Sequence, residues 1–465
     1  MVTAIVILFV LGYLCIALES VFKINKAAPA LLMCVGCWVL YMVNPEPFVA
    51  LTHGTAWTEF SREFAGGGAA VQAFVSEHIL LPHLGDTCEI LFFLMGAMTI
   101  VEIVDANGGF NFVRNSLRTE NKHKLLWRVA FMTFFLSAVL DNLTTSIVMV
   151  MVLRKLVATH KDRLIYAAAI VLAANAGGAF SPIGDVTTIM LWIKGNVSTG
   201  GVIAELFLPS LVSVIVPILL LQRSLTGQLA APKMADAGDA LHFTNAERNI
   251  VFWLGVGGLV FVPVFRILTG LPPFMGILLV LGLLWATTDL FYRNKSHIKE
   301  NARQRVTHLL TRIDMSTILF FLGILMAVAV LSETGVLTAF GQSLNDVSGG
   351  NHYVVTGVIG VVSSIVDNVP LVAGCMGMYP IATEAAVQAN PAMIDFMQDG
   401  VFWQLLAYCA GVGGSMLIIG SAAGVVVMGL EKITFGWYLR RITWIAFAGY
   451  LAGMAAYWLE KTFLF

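Results

Sequence analysis

Apolar runs separated by short polar breaks fill the chain almost from end to end. Runs at 2–22, 27–43, 89–105, 201–222, 249–268, 271–291, 316–334 and 437–459 each come close to the ~20 residues a helix needs to cross ~30 Å of hydrocarbon. Two more, 164–193 and 400–430, are long enough to cross but are interrupted, the first at Gly177, Gly178, Pro182 and Gly184, the second at Gly411, Gly413, Gly414 and Gly420. Another pair, 125–156 and 352–386, carries polar tips in mid-run: Asp141-Asn142-Leu143-Thr144-Thr145 and Asp367-Asn368-Val369-Pro370. The arms beside these tips are too short to span comfortably, so the pattern predicts re-entrant hairpins. The expected fold is an all-α polytopic membrane protein with ten crossings and two hairpins. The run at 2–22 lacks a basic leader and a small-residue cleavage pattern, and it reads as a retained helix.

The pattern also repeats. Ile90-Leu91-Phe92-Phe93-Leu94 recurs at 318–322, the Asp-Asn tip at 141 recurs at 367, and the Gly177-Gly178…Gly184 break recurs as Gly413-Gly414…Gly420. Landmarks in one order at nearly constant offset indicate duplication. The halves are 1–222 and 247–465, joined by a linker at 223–246. Each half crosses five times, so the second must enter from the opposite face, an inverted repeat of the kind secondary transporters use. Connectors at 66–86 and 294–314 occupy equivalent places and are expected to lie as amphipathic segments in the interfaces.

Composition agrees with this reading: 58% of the residues are hydrophobic and 12% charged, against about 25% charged in soluble domains. The net charge of −1 by itself says nothing about partners, and no nucleic acid is expected among them. With ten crossings and the hairpins returning to their own side, all of the 27 Lys and Arg except Arg62, Lys194, Arg266 and Lys461 fall on one face. The positive-inside rule makes that face cytoplasmic and puts both termini outside. Cys34 and Cys37 form a C-x-x-C with no second pair or histidine cluster nearby, so packing is their expected role.

Interrupted backbone at bilayer depth has to be buried or line a cavity, and its free carbonyls are hard oxygen ligands for a small alkali cation. Each tip is expected to meet the broken helix of its own half. The first cluster draws on Asp141, Asn142, Thr144, Thr145, Asn175, Ser181, Asp185, Thr187 and Thr188, the second on Ser363, Ser364, Asp367, Asn368, Ser415 and Ser421. A carboxylate in mid-bilayer costs at least ~2.5–3.5 kcal/mol on insertion scales. Burial favours its protonated form and a bound cation its ionised form, so one group can hold H⁺ or Na⁺ in turn. Asp141 and Asp367 lead in that role, with Glu102, Asp105, Asp185 and Glu333 behind them. The competing role for Asp141, Asp367 and Asp185 is helix capping, and for the threonines, satisfying freed backbone groups. Histidines such as His78, His83, His123 and His352 lie near interfaces, where a pH sensor is the alternative to a passive role.

The stretch Asn175-Ala176-Gly177-Gly178-Ala179-Phe180-Ser181-Pro182-Ile183-Gly184-Asp185-Val186-Thr187-Thr188, together with Asp141-Asn142-Leu143-Thr144-Thr145, resembles the NhaD-type sodium/proton antiporters of the ion transporter superfamily, over essentially the whole chain. The resemblance implies exchange of Na⁺ and Li⁺ for H⁺ with no cofactor, in a bacterial cytoplasmic (inner) membrane. It further implies a homodimer in lipid with scaffold and transport domains moving in an elevator-like way, and ion binding at both tips and at 175–188. The second half departs from the pattern, with Gly411 in place of Asn175 and Ser421 in place of Asp185, and so offers fewer ligands. An anion carrier of the same fold, for arsenite or a dicarboxylate, is the alternative, although acidic tips repel anions. An enzyme is disfavoured because neither H-E-x-x-H nor G-x-S-x-G with its partners is present.

Overall fold

The computed structural model describes residues 1–465 except 18–21, 64–67, 111–115, 118, 230–242, 294, 296–305, 366–367 and 464–465. Asp367, most of the linker, most of the second connector and several of the basic residues used in the charge sorting therefore lie outside the described residues. What is described is helical, with no strand longer than the isolated bridge Asn121–Gln228.

Most expected runs appear as helices close to their predicted limits: Val2–Ala17, Ala27–Val43, Thr199–Leu221, Asn245–Thr269, Pro273–Arg293, Met315–Glu333 and Thr443–Phe463. Local chemistry explains several ends. Thr244 and Glu247 form a reciprocal capping box at the start of Asn245–Thr269, and Gly270, at φ 70°, closes its far end in the left-handed region. Among the described residues, six helices are long and apolar enough to cross a membrane, or up to eight if each bent pair counts as one span.

Three expectations change. The first connector is not a separate interfacial segment: Ala69–Ala106 runs as 38 helical residues, passing through one π-helical turn, Val75–Leu80, into the span predicted at 89–105. At 1.5 Å per residue such a helix reaches roughly 57 Å, well beyond the hydrocarbon thickness. The first hairpin is asymmetric, with arms Lys122–Leu140 and Asn142–Leu156 of 19 and 15 residues, so its first arm alone is long enough to cross. The third change concerns the glycines. Helix His160–Ala179 continues through Gly177 and Gly178, and helix Val401–Gly413 through Gly411 and Gly413; the interruptions come later, at Phe180–Asp185 and Gly414–Ser421.

Close packing, not unwinding, is what these helical glycines serve. A Cβ on Gly177 would stand 2.1 Å from the carbonyl oxygen of Phe134, and one on Gly413 would stand 2.2 Å from that of Gly360. Gly184 lies in the same way against the backbone of Ser137, and Gly420 against Ser364. Ser137 Oγ donates to the Ala174 carbonyl (2.6 Å), and Ser363 Oγ to that of Ala410 (2.9 Å). Each contact in the first half thus has its counterpart about 226 positions on in the hairpin and 236 on in the broken helix.

The chain divides into two compact units. One comprises Met1–Phe92, Asp314–Val355 and Val369–Phe396, the other Phe93–Ile313, Thr356–Asn368 and Met397–Phe465. Each takes residues from both sequence halves. Both interrupted helices and the described part of each tip up to Asn368 belong to the second unit, within which buried Glu431 accepts from Arg154 Nε (2.7 Å) and Arg163 Nε (3.0 Å).

Replacing Gly177 or Gly413 with alanine forces backbone apart and is expected to destabilise the protein by about 1–3 kcal/mol. Gly429, with nothing near its would-be Cβ, should accept alanine without loss. Thermal unfolding in detergent compares the three variants.

Candidate ion-binding site

The first hairpin turns at Asp141, whose backbone (φ 79°, ψ 156°) lies where side chains are rarely tolerated. Its carboxylate caps the second arm: Oδ1 accepts from Thr144 N (2.8 Å) and Oδ2 from Thr144 Oγ1 (2.7 Å). Asp141 is half-buried, and its neighbour Asn142 is buried. The cap is therefore real, and it sits at the point where the two arms part.

Asn142 leads into the interior. Its amide nitrogen donates to Asn175 Oδ1 (3.1 Å) and to Asp185 Oδ2 (2.8 Å). Asp185, 1% exposed, is the N-cap of Val186–Ile193, with Oδ1 accepting from the backbone N (3.1 Å) and hydroxyl (3.0 Å) of Thr187. Asn175, fully buried on the helix before the break, turns its amide nitrogen to Ser415 Oγ and Ser421 Oγ, both at 2.9 Å. Ser421 in turn caps Ala422–Glu431 through Gly424 N (3.1 Å), and the Ser415 carbonyl receives the hydroxyl of buried Tyr438 (2.8 Å). One continuous network therefore joins the first tip to both interrupted helices. The expectation of one separate cluster per half is corrected: Gly411, at the position that corresponds to Asn175, brings no side-chain ligand, and Ser415 and Ser421 of the second half accept from Asn175 itself.

The remaining candidates fall around this network or away from it. Ser181 Oγ donates to the Ala138 carbonyl, and Thr188 Oγ1 to that of Ala179 (3.5 Å), so both hydroxyls satisfy freed backbone. Thr145 is fully buried and its hydroxyl has no hydrogen-bond partner; the same holds for Ser146. Ser363 packs its hydroxyl on Ala410, Ser364 bonds its own helix at Val361 (2.7 Å), and Asn368 is buried at the start of Asn368–Met378. Asp367 lies outside the described residues.

Glu102 and Asp105 do not join the cluster. Glu102 pairs with Arg312 (3.0 Å) and Asp105 is exposed at the end of its helix. Glu333 belongs to the other unit, where its carboxylate takes His53 Nε2 on Oε2 and His83 Nε2 on Oε1, both at 2.8 Å, with Thr52 Oγ1 at 3.3 Å. This His–Glu–His arrangement was not foreseen as a unit, because its members lie 250 and more positions apart in sequence. Ser137 and Ser146 were also missed. Ser137 was legible, since Ser137-x-x-x-Asp141 and Ser363-x-x-x-Asp367 repeat at the duplication offset.

In chemical terms the network is a set of hard oxygens: one fully buried carboxylate, one half-buried carboxylate, amide carbonyls and hydroxyls. Carboxylate, amide and hydroxyl oxygens are the donor set expected of a small alkali cation and not of a soft metal.

The sequence pattern that defines the citrate transporter family covers residues 6–397. Sodium/proton antiporters 1 and 2 of Arabidopsis thaliana are 46% and 42% identical over 98% and 97% of this chain, and over 72% and 98% of their own lengths. The Na⁺/H⁺ antiporter NhaD of Alkalimonas amylolytica is 29% identical over 97% of this chain and 89% of its own. The chain belongs to the NhaD-type sodium/proton antiporter family. The crystal structure of the Alcanivorax borkumensis YdaH transporter shares the fold with a TM-score of 0.54 at 13% identity, covering 82% of this chain and 87% of that one. Membership places the chain among multi-pass membrane transporters.

Asn175→Ala strands buried hydroxyls and the Asn142 amide, and it should cost about 1–3 kcal/mol of stability. Ser415→Ala, which removes one of two equivalent acceptors, should cost less. Detergent unfolding curves of the two variants test the order.

Proposed function

We propose that the chain exchanges Na⁺, and Li⁺ in its place, for H⁺ at the buried oxygen network, with Na⁺ leaving the cell as protons enter. The observation that carries this reading is Asp185, fully buried at a helix break and held by two amide-bearing and hydroxyl-bearing neighbours, with Asp141 at the adjoining tip. An ionised carboxylate so placed is costly without a cation, and a proton or a sodium ion can each remove that cost. The names of the plant and bacterial relatives support the same exchange. On this reading Asp141, Asn142, Asn175, Asp185 and Thr187 surround the ion, joined by Thr144, Thr145, Ser181, Thr188, Ser415 and Ser421, while Asp367 and Asn368 supply the corresponding pole of the second half.

The architecture proposed with it is an inverted repeat with halves 1–222 and 247–465, and the paired contacts of Gly177 with Phe134 and Gly413 with Gly360 support it. Both termini are placed outside the cytoplasm. Contacts that join residues assigned to one face support this sidedness: Arg154 and Arg163 meet Glu431, Lys295 meets Glu247, Lys461 meets Glu205, and Arg266 donates to the Trp192 carbonyl. A homodimer working by an elevator-like motion in a bacterial inner membrane remains part of the proposal by family resemblance; relatives come from a plant as well as from bacteria.

The family pattern named for citrate transport favours one competing reading, a carboxylate carrier. The two readings separate in everted vesicles carrying a proton gradient and a pH-sensitive dye. Sodium or lithium should dissipate the gradient, and Asp141→Asn, Asp185→Asn and Asp367→Asn should each reduce that response by tenfold or more, on the order of the ~1.4 kcal/mol or greater that loss of a charge contact implies. Dissipation by citrate or succinate but not by sodium would establish the carrier reading instead.

A further inference from the structure

Away from the ion site, the first arm of the hairpin carries a feature that ion exchange does not use. Lys124, Arg128, Phe131 and Phe135 follow one another at spacings of four, three and four, which sets them on one face of helix Lys122–Leu140. With Leu117 and Trp127 they line an open groove of about 440 Å³. The groove has two chemically distinct ends. At the start of the helix, Lys124 is exposed, and Arg128 is held in place by its Nη1 donating to the Ser116 carbonyl (3.2 Å). Further along, the wall is aromatic: Trp127 stacks on Phe131 with centroids 5.6 Å apart and planes 26° apart, and Phe135 is 53% exposed. Trp127 is fixed by donating from Nε1 to Gln222 Oε1 (3.1 Å).

We infer that this groove is a binding site for an anionic glycerophospholipid, with its phosphate at Lys124 and Arg128 and an acyl chain along Trp127, Phe131 and Phe135. Charge complementarity selects the headgroup: two cations one helical turn apart attract a net negative phosphodiester, whereas the ammonium of a zwitterionic choline lipid is repelled. The helix start adds its own positive dipole end to the same spot. In sequence the basic run is denser still, with Arg114 and Arg118 beside the pair and Glu120 as the acidic exception, while Lys122 is paired with Asp162 (2.9 Å). Basic clusters of this kind at the end of a membrane-spanning segment attract acidic headgroups. The aromatic floor selects a lipid over a soluble anion or peptide, because it lies on a helix apolar enough to cross the bilayer, where acyl chains are the surrounding solvent.

Tryptophan fluorescence of the purified protein in detergent, titrated with phosphatidylglycerol or phosphatidylcholine brominated on the acyl chain, tests the site. Phosphatidylglycerol should quench more than phosphatidylcholine at equal concentration, and Trp127→Phe should remove that excess. The double variant K124Q/R128Q should weaken apparent phosphatidylglycerol affinity about 30-fold and leave phosphatidylcholine quenching unchanged. The single variants K124Q and R128Q, each expected to weaken it about fivefold, carry the same test whether or not the double variant folds. Equal quenching by the two lipids, an excess that survives in K124Q/R128Q, or displacement of the lipid by inorganic phosphate alone would each overturn the inference.

Discussion

A buried amide bridge holds this molecule's centre together. Asn175 has one side-chain nitrogen and one oxygen, and through them it reaches two serines of the second interrupted helix and, by way of Asn142, the carboxylate of Asp185. At this depth no water is at hand to replace a missing partner, so each link makes the next obligatory. That is why the interruptions can exist at all. The breaks at Phe180–Asp185 and Gly414–Ser421 expose backbone and caps, and the network together with Ser181 and Thr188 satisfies them.

The glycines make the network possible from outside it. Helix packing in lipid favours small residues because backbones then approach closely, and here the approach is backbone to backbone at Gly177, Gly184, Gly413 and Gly420. Ser137 and Ser363 add a hydrogen bond at each of the corresponding places. The hairpin is thereby packed closely against the interrupted helix, and the tip residue Asn142 meets Asn175. The geometry of the polar network thus depends on residues that carry no charge.

Much of this was legible in the linear pattern. Span limits followed from apolar length, and the capping roles of Asp141 and Asp185 from the polar residues after each break. What misled was reading Gly177 and Gly413 as helix breakers, because glycine's weak helix propensity is indistinguishable in sequence from its use at a close contact. The π turn at Val75–Leu80 gave no signal, and a continuous helix replaced the expected connector. The merging of the clusters was also hidden. Gly411 in place of Asn175 reads as a lost ligand, whereas in three dimensions Asn175 itself meets Ser415 and Ser421 of the second half. Glu333 stood among the candidates, but its pairing with His53 and His83 was hidden because they come from distant sequence.

The backbone of Asp141 has one more implication. Its dihedral angles suit glycine, and a residue with a β-carbon held there stores roughly 1–3 kcal/mol of conformational strain. A glycine there would relax the chain while erasing the carboxylate and its cap on Thr144, so the bend sets backbone ease against the side chain that ties the second arm to the turn.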